Sequence, residues 1–283
     1  MIAFASNSLL CRAALKQTSI DAATFTSVRI LSGALILWLI LKMRGAVWTA
    51  AGSWPAALAL FVYAATFSFA YNTLSAGTGA LLLFGAVQAT MIFWGLRKGE
   101  RLYVIQIVGL IVAMIGLVVL VFPGLSAPPL IGSTLMLGAG VAWGIYSLRG
   151  RGETKPVNAT AGNFVRAVPF AAVLSLILLS SARLDRAGVL YAVVSGAITS
   201  GFGYVIWYSA LPGLKASSAA TVQLSVPVLA ATGGILLLSE PITLRYLLAS
   251  IAVLSGIALV VTNPFCGDAE SIGPGGRKGA ASQ

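Results

Sequence analysis

The sequence predicts an all-α polytopic membrane protein with ten transmembrane helices in two inverted five-helix repeats. Three observations carry this prediction: the composition, a series of ten apolar runs, and an internal repeat of rare charged residues. Of the 283 residues, 58% are apolar and 9% are charged, with a mean hydropathy of +0.95. Soluble domains carry about a quarter charged residues, so this composition is typical of a membrane protein.

Ten apolar runs are separated by polar breaks. A helix needs about 20 apolar residues to cross about 30 Å of hydrocarbon, and the chain has room for ten such crossings and no soluble domain. The runs are continuous rather than alternating, which argues against the strands of a membrane barrel. The predicted spans are Ile2–Leu15, Ala22–Leu41, Trp54–Leu74, Gly79–Leu96, Tyr103–Phe122, Leu130–Leu148, Ala159–Ser181, Gly188–Leu211, Ala216–Leu238 and Leu244–Thr262.

The basic residues predict the orientation of the chain. If the amino terminus is cytoplasmic, eleven lysines and arginines flank the cytoplasmic helix ends and five flank the opposite ends. The eleven are Lys42, Arg44, Arg97, Lys98, Arg101, Arg149, Arg151, Lys155, Lys215, Arg277 and Lys278, and the five are Arg12, Lys16, Arg183, Arg186 and Arg245. The positive-inside rule therefore predicts a bacterial-type inner-membrane protein with both termini in the cytoplasm.

The net charge of +11 is interpreted in the same way. The basic residues are scattered singly between apolar runs, so we expect contact with anionic lipid and not with nucleic acid. The sequence has no histidine, and its two cysteines, Cys11 and Cys266, lie near opposite ends of the chain. We therefore predict no disulfide framework, metal site or cofactor. The expected partners are the lipid bilayer and a small-molecule substrate, and the expected state is a monomer or weak homodimer.

An internal repeat relates the two halves of the chain. A shift of 137 residues superimposes Arg12 on Arg149, Arg29 on Arg166, and Tyr71 on Tyr208. After the next turn a shift of 140 superimposes Ala80 on Ala220, Glu100 on Glu240, and Gly116 on Gly256. Apolar composition alone would not align rare arginines and glutamates. Because each repeat has an odd number of helices, the second enters the membrane in the opposite sense. The predicted units are residues 1–126 and 127–265, followed by a disordered polar tail, 266–283.

Duplicated motifs give the sequence a family likeness. In the first half they are Ser6-Asn7…Arg12, Arg29, Ser75-Ala76-Gly77-Thr78-Gly79-Ala80 and Glu100. In the second half they are Ala142-Trp143-Gly144…Arg149, Arg166, Ala210-Leu211…Ser217-Ser218-Ala219-Ala220, Pro227 and Glu240-Pro241. With these motifs the chain resembles the drug/metabolite transporter superfamily, and within it the ten-helix EamA-like exporters.

The resemblance implies two five-helix repeats around a central cavity that opens to alternate sides. It also implies export of small metabolites, with amino acids (aromatic and others) favoured and cationic drugs included. Within this family the chain most resembles the type of exporter that transports aromatic amino acids and paraquat. The alternatives are import or export of another metabolite, purine-related or sugar-linked, and a channel. A channel is disfavoured because no filter-like loop is present. An enzyme is disfavoured because the sequence offers no nucleophile–base–acid set.

Aromatic residues follow one face of two predicted helices that are equivalent in the repeat. Helix 3 carries Tyr63, Phe67 and Tyr71, and helix 8 carries Ser200, Tyr204 and Tyr208. The spacing of four residues places each trio on one face. Two such walls would hold an aromatic or cationic substrate by stacking and cation–π contact. The alternative is ordinary packing between helices.

Polar residues inside the predicted spans are further candidates. An amide without a partner is costly in hydrocarbon, so these side chains face the bundle interior or a wet cavity. The alternative is a structural role in hydrogen bonds between helices, each worth less than about 2 kcal/mol. The predicted substrate-binding residues are Asn7, Ser68, Tyr71, Asn72, Gln88, Trp143, Tyr146, Tyr204, Tyr208 and Gln223.

Two arginines, Arg29 and Arg166, lie within predicted helices 2 and 7. A charge at such depth is expensive and is normally functional or paired. One interpretation is a clamp for a substrate carboxylate. The other is a structural brace to backbone carbonyl groups or lipid headgroups. This second interpretation is favoured because the two arginines occupy equivalent positions in the two repeats.

The placement of acids predicts the coupling mode. The seven Asp and Glu residues lie in loops, at helix ends or in the tail, whereas proton-coupled carriers place a titratable group along the pathway. We therefore expect facilitated export without an obligatory proton, so that an uncoupler leaves flux across liposomes unchanged. A flux that depends on an imposed pH gradient and collapses with an uncoupler would contradict this expectation.

Overall fold

The computed structural model describes residues 1–45, 51–99, 101–124, 127–150, 153–210 and 222–262, with only the backbone of 208–210. The described part of the chain forms ten successive helical segments. Nine are α1 (Ile2–Gln17), α2 (Ala22–Met43), α3 (Trp54–Tyr71), α4 (Ala76–Arg97), α5 (Val104–Val121), α6 (Leu130–Gly150), α7 (Pro156–Ile177), α9 (Ser225–Leu238) and α10 (Leu244–Thr262). The remaining segment, α8, consists of α-helical Arg186–Val194, π-helical Ser195–Phe202 and α-helical Gly203–Ala210. A short 3₁₀ turn, Leu179–Ser181, follows α7.

The membrane-spanning character predicted from the sequence is confirmed. Eight of the described segments are long and apolar enough to cross a bilayer, while α1 has 16 residues and α9 has 14. The helix ends agree with the predicted spans to within a few residues, because polar breaks and helix breaks coincide. The first part of the predicted ninth span, from Ala216 to residue 221, and the predicted tail lie outside the described residues.

The helices pack in a pattern that is symmetric between the two halves. α1 packs on α8 and α9, and in the same way α6 packs on α3 and α4. α2 packs on α8, as α7 packs on α3, while α2 contacts α7 and α5 contacts α10. Each helix of the first half corresponds to the helix five places later, so that α1 corresponds to α6 and α2 to α7. Corresponding helices make corresponding contacts, as expected for two copies of one five-helix unit.

Contacts between equivalent helices show that the two copies are inverted. Near the start of α5, Gln106 donates through Nε2 to the carbonyl of Val260 near the end of α10, at 3.2 Å. Near the start of α2, the hydroxyl of Ser27 lies 2.7 Å from that of Ser175 near the end of α7. Both pairs are therefore antiparallel. Because each half has an odd number of helices, this is the inverted arrangement that the sequence repeat predicts.

The two ends of the bundle are named here by their loops. The α1–α2 face carries the loops between α1 and α2, α3 and α4, and α7 and α8. The α2–α3 face is the opposite end, which the basic residues predict to be cytoplasmic. Three cations there lie over aromatic rings one helical turn away: Lys42 over Trp38, Arg97 over Phe93, and Lys98 over Trp94. Amphipathic rings and snorkelling cations are typical of a membrane–water interface.

Hydrogen bonds to Asp21 join two loops on the α1–α2 face. One carboxylate oxygen caps α2 by accepting from the N–H groups of Ala23 and Thr24, each at 2.9 Å. The other accepts from the N–H of Arg183, at 2.8 Å, in the connection before α8. Partial burial acts to raise the pKa of Asp21, but these hydrogen bonds favour the carboxylate and hold the pKa below its usual value.

Glycines allow α5 and α10 to approach closely. A Cβ placed on Gly109 would lie 2.6 Å from the carbonyl oxygen of Gly256, and one placed on Gly116 would lie 2.9 Å from the Cβ of Ala252. The glycine-containing faces of these two helices are thus used for packing within the chain. Large apolar side chains of both helices, such as Ile111 and Ile251, are exposed and suit contact with lipid.

We predict that Gly109→Ala destabilises the protein, because overpacking of a tight helix contact costs about 1–3 kcal/mol. The matched control is Gly138→Ala in α6, where an added Cβ would meet nothing within 4 Å. The measurement is the melting temperature in detergent, defined as the temperature at which half of the protein is no longer monodisperse. Equal melting temperatures for the two variants would contradict the tight contact.

Candidate functional site

A network of buried polar side chains lies between the two halves at the centre of the bundle. Asn7 of α1 donates through Nδ2 to the hydroxyl of Tyr63 on α3, at 3.3 Å. Its Oδ1 accepts from the hydroxyls of Ser195, at 2.5 Å, and Thr199, at 3.3 Å, both on α8. The amide of Asn7 therefore joins the first half to the second.

Arg29 of α2 extends this network. Its Nη2 donates to the Tyr63 hydroxyl at 3.2 Å, and its Nε donates to the hydroxyl of Ser200 at 3.3 Å. The guanidinium carbon lies 5.3 Å from the ring centroid of Tyr63 and 5.0 Å from that of Phe67. The residue is only 2% exposed, so a full positive charge is buried between the halves.

Trp143 of α6 occupies the space between the two predicted aromatic walls. Its ring centroid lies 4.9 Å from that of Tyr63 on α3 and 5.1 Å from that of Tyr204 on α8. Phe4 contacts both Trp143 and Tyr204, with centroid distances of 6.1 and 5.9 Å. The walls therefore contact each other through the indole, which a substrate bound between them would have to displace.

The π-helical part of α8 supplies the hydroxyls of the network. Ser195, Thr199 and Ser200 all lie in this widened segment, and π-helical turns are frequent at functional sites. Gly196 in the same segment lies directly against α2, where a Cβ would collide with the carbonyl oxygen of Arg29. The lack of a side chain at residue 196 thus lets α8 approach α2 closely, with the hydroxyl of Ser200 within hydrogen-bond distance of Arg29.

An ion pair closes the bundle at the α1–α2 face. Arg12 at the end of α1 binds Glu240 after α9, with Nε 3.0 Å from Oε1. The other oxygen of Glu240 accepts from the N–H of Ala76 in the first turn of α4, at 2.8 Å, where a helix favours negative charge. Arg12 also donates to the carbonyl of Tyr71, at 2.8 Å. This pair connects α1, α3 and α4 of the first half with the second half.

The end of α9 is shaped to present Glu240. Ser239 adopts the left-handed conformation with φ of 51°, which non-glycine residues rarely adopt. The following N–H, that of Glu240, bonds back to the carbonyl of Gly234 at 3.1 Å, as in a Schellman-type helix end. Lys16 of α1 donates to the carbonyl of Leu238 at 3.1 Å. The chain thereby turns sharply and directs the carboxylate toward Arg12.

A cleft of about 330 Å³ opens on the α2–α3 face. Tyr146, Arg149, Glu153 and Asn163 contribute to its wall, and the Tyr146 ring lies 5.5 Å from that of Trp143. This cleft therefore leads toward the central aromatic residues. A second cleft, of about 730 Å³, lies on the α1–α2 face and includes Glu240, but its wall contains none of the central residues described above.

The structure brings together some of the predicted site residues. Asn7, Trp143 and Tyr204 belong to the centre, and Tyr146 adjoins it. Ser68 is buried and donates to its own helix at the carbonyl of Ala64. Gln88 is buried on α4.

The remaining predicted residues lie elsewhere. Tyr71 is buried toward the α1–α2 face, and its hydroxyl donates to the carbonyl of Ala76 at 3.3 Å. Asn72 is exposed after the end of α3, where its carbonyl accepts from Arg12. Gln223 is half-buried before the start of α9. The side chain of Tyr208 lies outside the described residues.

Arg166 has surroundings different from those of its counterpart Arg29. It is half-buried, and its Nη1 donates to the carbonyl groups of Ala51, at 2.7 Å, and Gly162, at 3.1 Å. These are the contacts of a structural brace between α7 and the segment before α3. The sequence alone left the same two alternatives open for both arginines.

Several residues of the site were not among the predicted substrate-binding residues. Phe4 is the single aromatic residue of its apolar run, and no repeat or spacing in the sequence marks it as part of a site. Ser195 and Thr199 are spaced by four residues in a glycine-containing stretch, which is a weak signal. Arg12 and Glu240 are each marked by the repeat, but their pairing across 228 residues is not. Within the described ranges, no three His, Cys, Asp or Glu side chains converge as metal ligands.

Comparison with known proteins decides the family. A family model described as the EamA-like transporter family matches residues 130–262. An uncharacterized transporter of Archaeoglobus fulgidus is 31% identical over 66% of this chain and 68% of its own length. The chain belongs to the EamA-like transporter family. An uncharacterized protein of Pseudomonas aeruginosa is 56% identical over 99% of this chain and 96% of its own length.

Two further proteins are similar to this chain, one a relative with a named substrate and the other a solved structure. The threonine/homoserine exporter RhtA of Salmonella typhimurium is 28% identical over 67% of this chain and 63% of its own length. A solved crystal structure superimposes with a TM-score of 0.66 over 92% of this chain and 94% of that one, at 17% identity. This structural similarity shows that the two proteins have the same fold.

We predict that Glu240→Gln opens the α1–α2 face of this EamA-like transporter. Cys11 precedes Arg12 and is fully buried, and in a Cys266→Ser background it is the only cysteine. Breaking a largely buried ion pair costs about 3–5 kcal/mol, so a membrane-impermeant maleimide should label Cys11 at least about 10-fold faster.

Arg183→Gln is the matched control for this labelling experiment, because Arg183 is an exposed cation on the same face. Its labelling rate should equal that of the parent. Unchanged labelling of Cys11 in Glu240→Gln would show that the ion pair does not close this face.

Proposed function

We propose that the protein exports small metabolites, namely amino acids with aromatic ones among them, across the bacterial inner membrane by alternating access. The observation that carries this proposal is the polar and aromatic network of Asn7, Arg29, Tyr63, Trp143 and Tyr204, buried where the two inverted halves meet. Secondary transporters built from inverted repeats bind their substrates at this interface, near the midplane. Membership of the EamA-like transporter family supports transport, and the similarity to a threonine/homoserine exporter supports amino acids as the substrate class.

The repeats 1–126 and 127–265 are the two moving units of this proposal, with both termini in the cytoplasm. The contacts of Arg12 with Glu240 and of Lys16 with Leu238 hold the α1–α2 face closed. A metabolite enters from the cytoplasmic cleft beside Tyr146 and reaches Trp143. Release on the other side requires the Arg12–Glu240 pair to break while contacts on the α2–α3 face form.

The aromatic residues of the centre accommodate the substrate side chain. Displacement of the Trp143 indole would leave a space bordered by the rings of Phe4, Tyr63 and Tyr204. Such rings favour aromatic and cationic groups through stacking and cation–π contact. A small side chain such as that of threonine gains less from these contacts, so the aromatic residues set the preference among amino acids.

The test is a counterflow panel in proteoliposomes with phenylalanine, threonine, an aliphatic amino acid and a quaternary dication. Saturable exchange of at least one amino acid is expected. We predict that Tyr204→Ala raises the half-saturating concentration of phenylalanine about 2- to 10-fold, the value of a lost aromatic contact, and changes that of threonine less. The measured quantity is the half-saturating concentration of each substrate.

Trp38→Ala is the control, because Trp38 is largely exposed at the end of α2, far from the centre. It should leave both half-saturating concentrations unchanged. Equal losses for phenylalanine and threonine in Tyr204→Ala would refute an aromatic binding wall. The absence of saturable exchange with every amino acid would refute the proposed substrate class.

A further inference from the structure

The guanidinium of Arg29 has more donors than the surrounding protein satisfies. A guanidinium carries five N–H donors in a planar fork. Nε is bonded to Ser200 and Nη2 to Tyr63, at 3.3 and 3.2 Å. Nη1 is buried and has no hydrogen-bond acceptor among the described residues. A buried polar atom without a partner is costly, so this nitrogen marks a place for an acceptor that the protein does not supply.

The charge of Arg29 is also not neutralised by a described carboxylate. Asp21 and Asp185 cap helices at the α1–α2 face, Glu153 lies in the wall of the opposite cleft, and Glu240 pairs with Arg12. The partners of the Arg29 charge are instead ring faces and neutral hydroxyls. Cation–π contact offsets only part of the cost of burying a charge, so the centre retains a net attraction for an anion.

The position of Arg29 allows an anion to share the centre with a side chain. The same Tyr63 that accepts from Nη2 contacts Trp143, with ring centroids 4.9 Å apart. A molecule that displaces the indole therefore lies next to the guanidinium. Arginine binds a carboxylate through two parallel N–H···O bonds, which fixes orientation as well as adding affinity.

We propose that Arg29 is the subsite for the carboxylate of the transported metabolite, bound through Nη1 together with the adjacent Nη2. This inference rests on the proposed function and extends it. It restricts the substrate class to compounds with a carboxylate and excludes compounds of the same shape that lack one. The incoming carboxylate supplies the acceptor that Nη1 lacks. The counterpart Arg166 has no such role, because its Nη1 already bonds two backbone carbonyl groups.

The experiment compares a carboxylate with its uncharged carboxamide. Proteoliposomes exchange labelled threonine, and unlabelled threonine or threoninamide competes. In the parent protein threoninamide should compete at least about 10-fold more weakly, since it lacks the charged acceptor. In Arg29→Gln that difference should fall below about 3-fold, because the variant has lost the charge that distinguishes the two compounds.

The matched control is Arg166→Gln, which should retain the full discrimination of the parent. Arg29→Lys keeps the charge without the planar fork of donors, so this variant should retain part of the discrimination between threonine and threoninamide. Size-exclusion chromatography in detergent establishes that each variant is folded. If Arg29→Gln discriminates as strongly as the parent, the carboxylate subsite is refuted even though amino-acid transport stands.

A second measurement separates this inference from the proposed function. If the parent exchanges no amino acid, the proposed function fails, and the subsite is tested on purified protein with butyrate and butanamide as probes. Butyrate but not butanamide should raise the melting temperature of the parent and of Arg166→Gln, and neither should raise that of Arg29→Gln. Equal shifts with both probes, or no shift with butyrate in the parent, would overturn the subsite.

Discussion

Hydrocarbon offers no hydrogen-bond partners, and this constraint organises the structure. A polar side chain placed between the halves needs a partner from the protein or from a bound molecule, and here the protein partner is repeatedly in the other half. Asn7 bonds Ser195 and Thr199, and Arg29 bonds Ser200. Ser27 meets Ser175 in the same way. Apart from the Arg12–Glu240 pair, the polar contacts between the halves are individually weak and can be exchanged, which suits a protein whose two units must move against each other.

The two repeats share a backbone plan but not a chemistry. α2 and α7 are equivalent in the packing pattern, yet Arg29 is buried among rings and hydroxyls while Arg166 holds loop carbonyl groups. A binding site on a pseudo-two-fold axis would be symmetric if both copies kept the same side chains. Divergence at equivalent positions lets one copy supply recognition and the other supply rigidity, without disturbing helix packing.

The fold was largely predictable from the sequence because its main determinant is local. Each apolar run, such as Val104–Val121, is long enough to be a helix in hydrocarbon whatever surrounds it, and the repeated Arg12 and Arg149 reveal the duplication. The site was only partly predictable, because its contacts join residues distant in the chain. The bond from Asn7 to Ser195 depends on how α1 lies against α8, and no local pattern contains that information.

Individual residues show where sequence reasoning stops. Asn72 follows Ser68 by four residues and would share its face if α3 continued, but α3 ends at Tyr71 and Asn72 is exposed. The spacing is that of one helix face, but the sequence does not locate the end of the helix to one residue. Trp143 was predicted as a cavity-lining residue, but its place between Tyr63 and Tyr204 required the packing of α3, α6 and α8 to be known.

The widened part of α8 has a mechanical consequence. The hydroxyls of the second half that bond Asn7 and Arg29 come from one stretch of eight residues, Ser195–Phe202, whose hydrogen bonds span five residues rather than four. Rewinding this stretch into a regular helix would rotate Ser195, Thr199 and Ser200 together and release both first-half residues in a single local step. The coupling of the halves through the central network is therefore concentrated in the pitch of two helical turns, so a small twist there would change all of these bonds together.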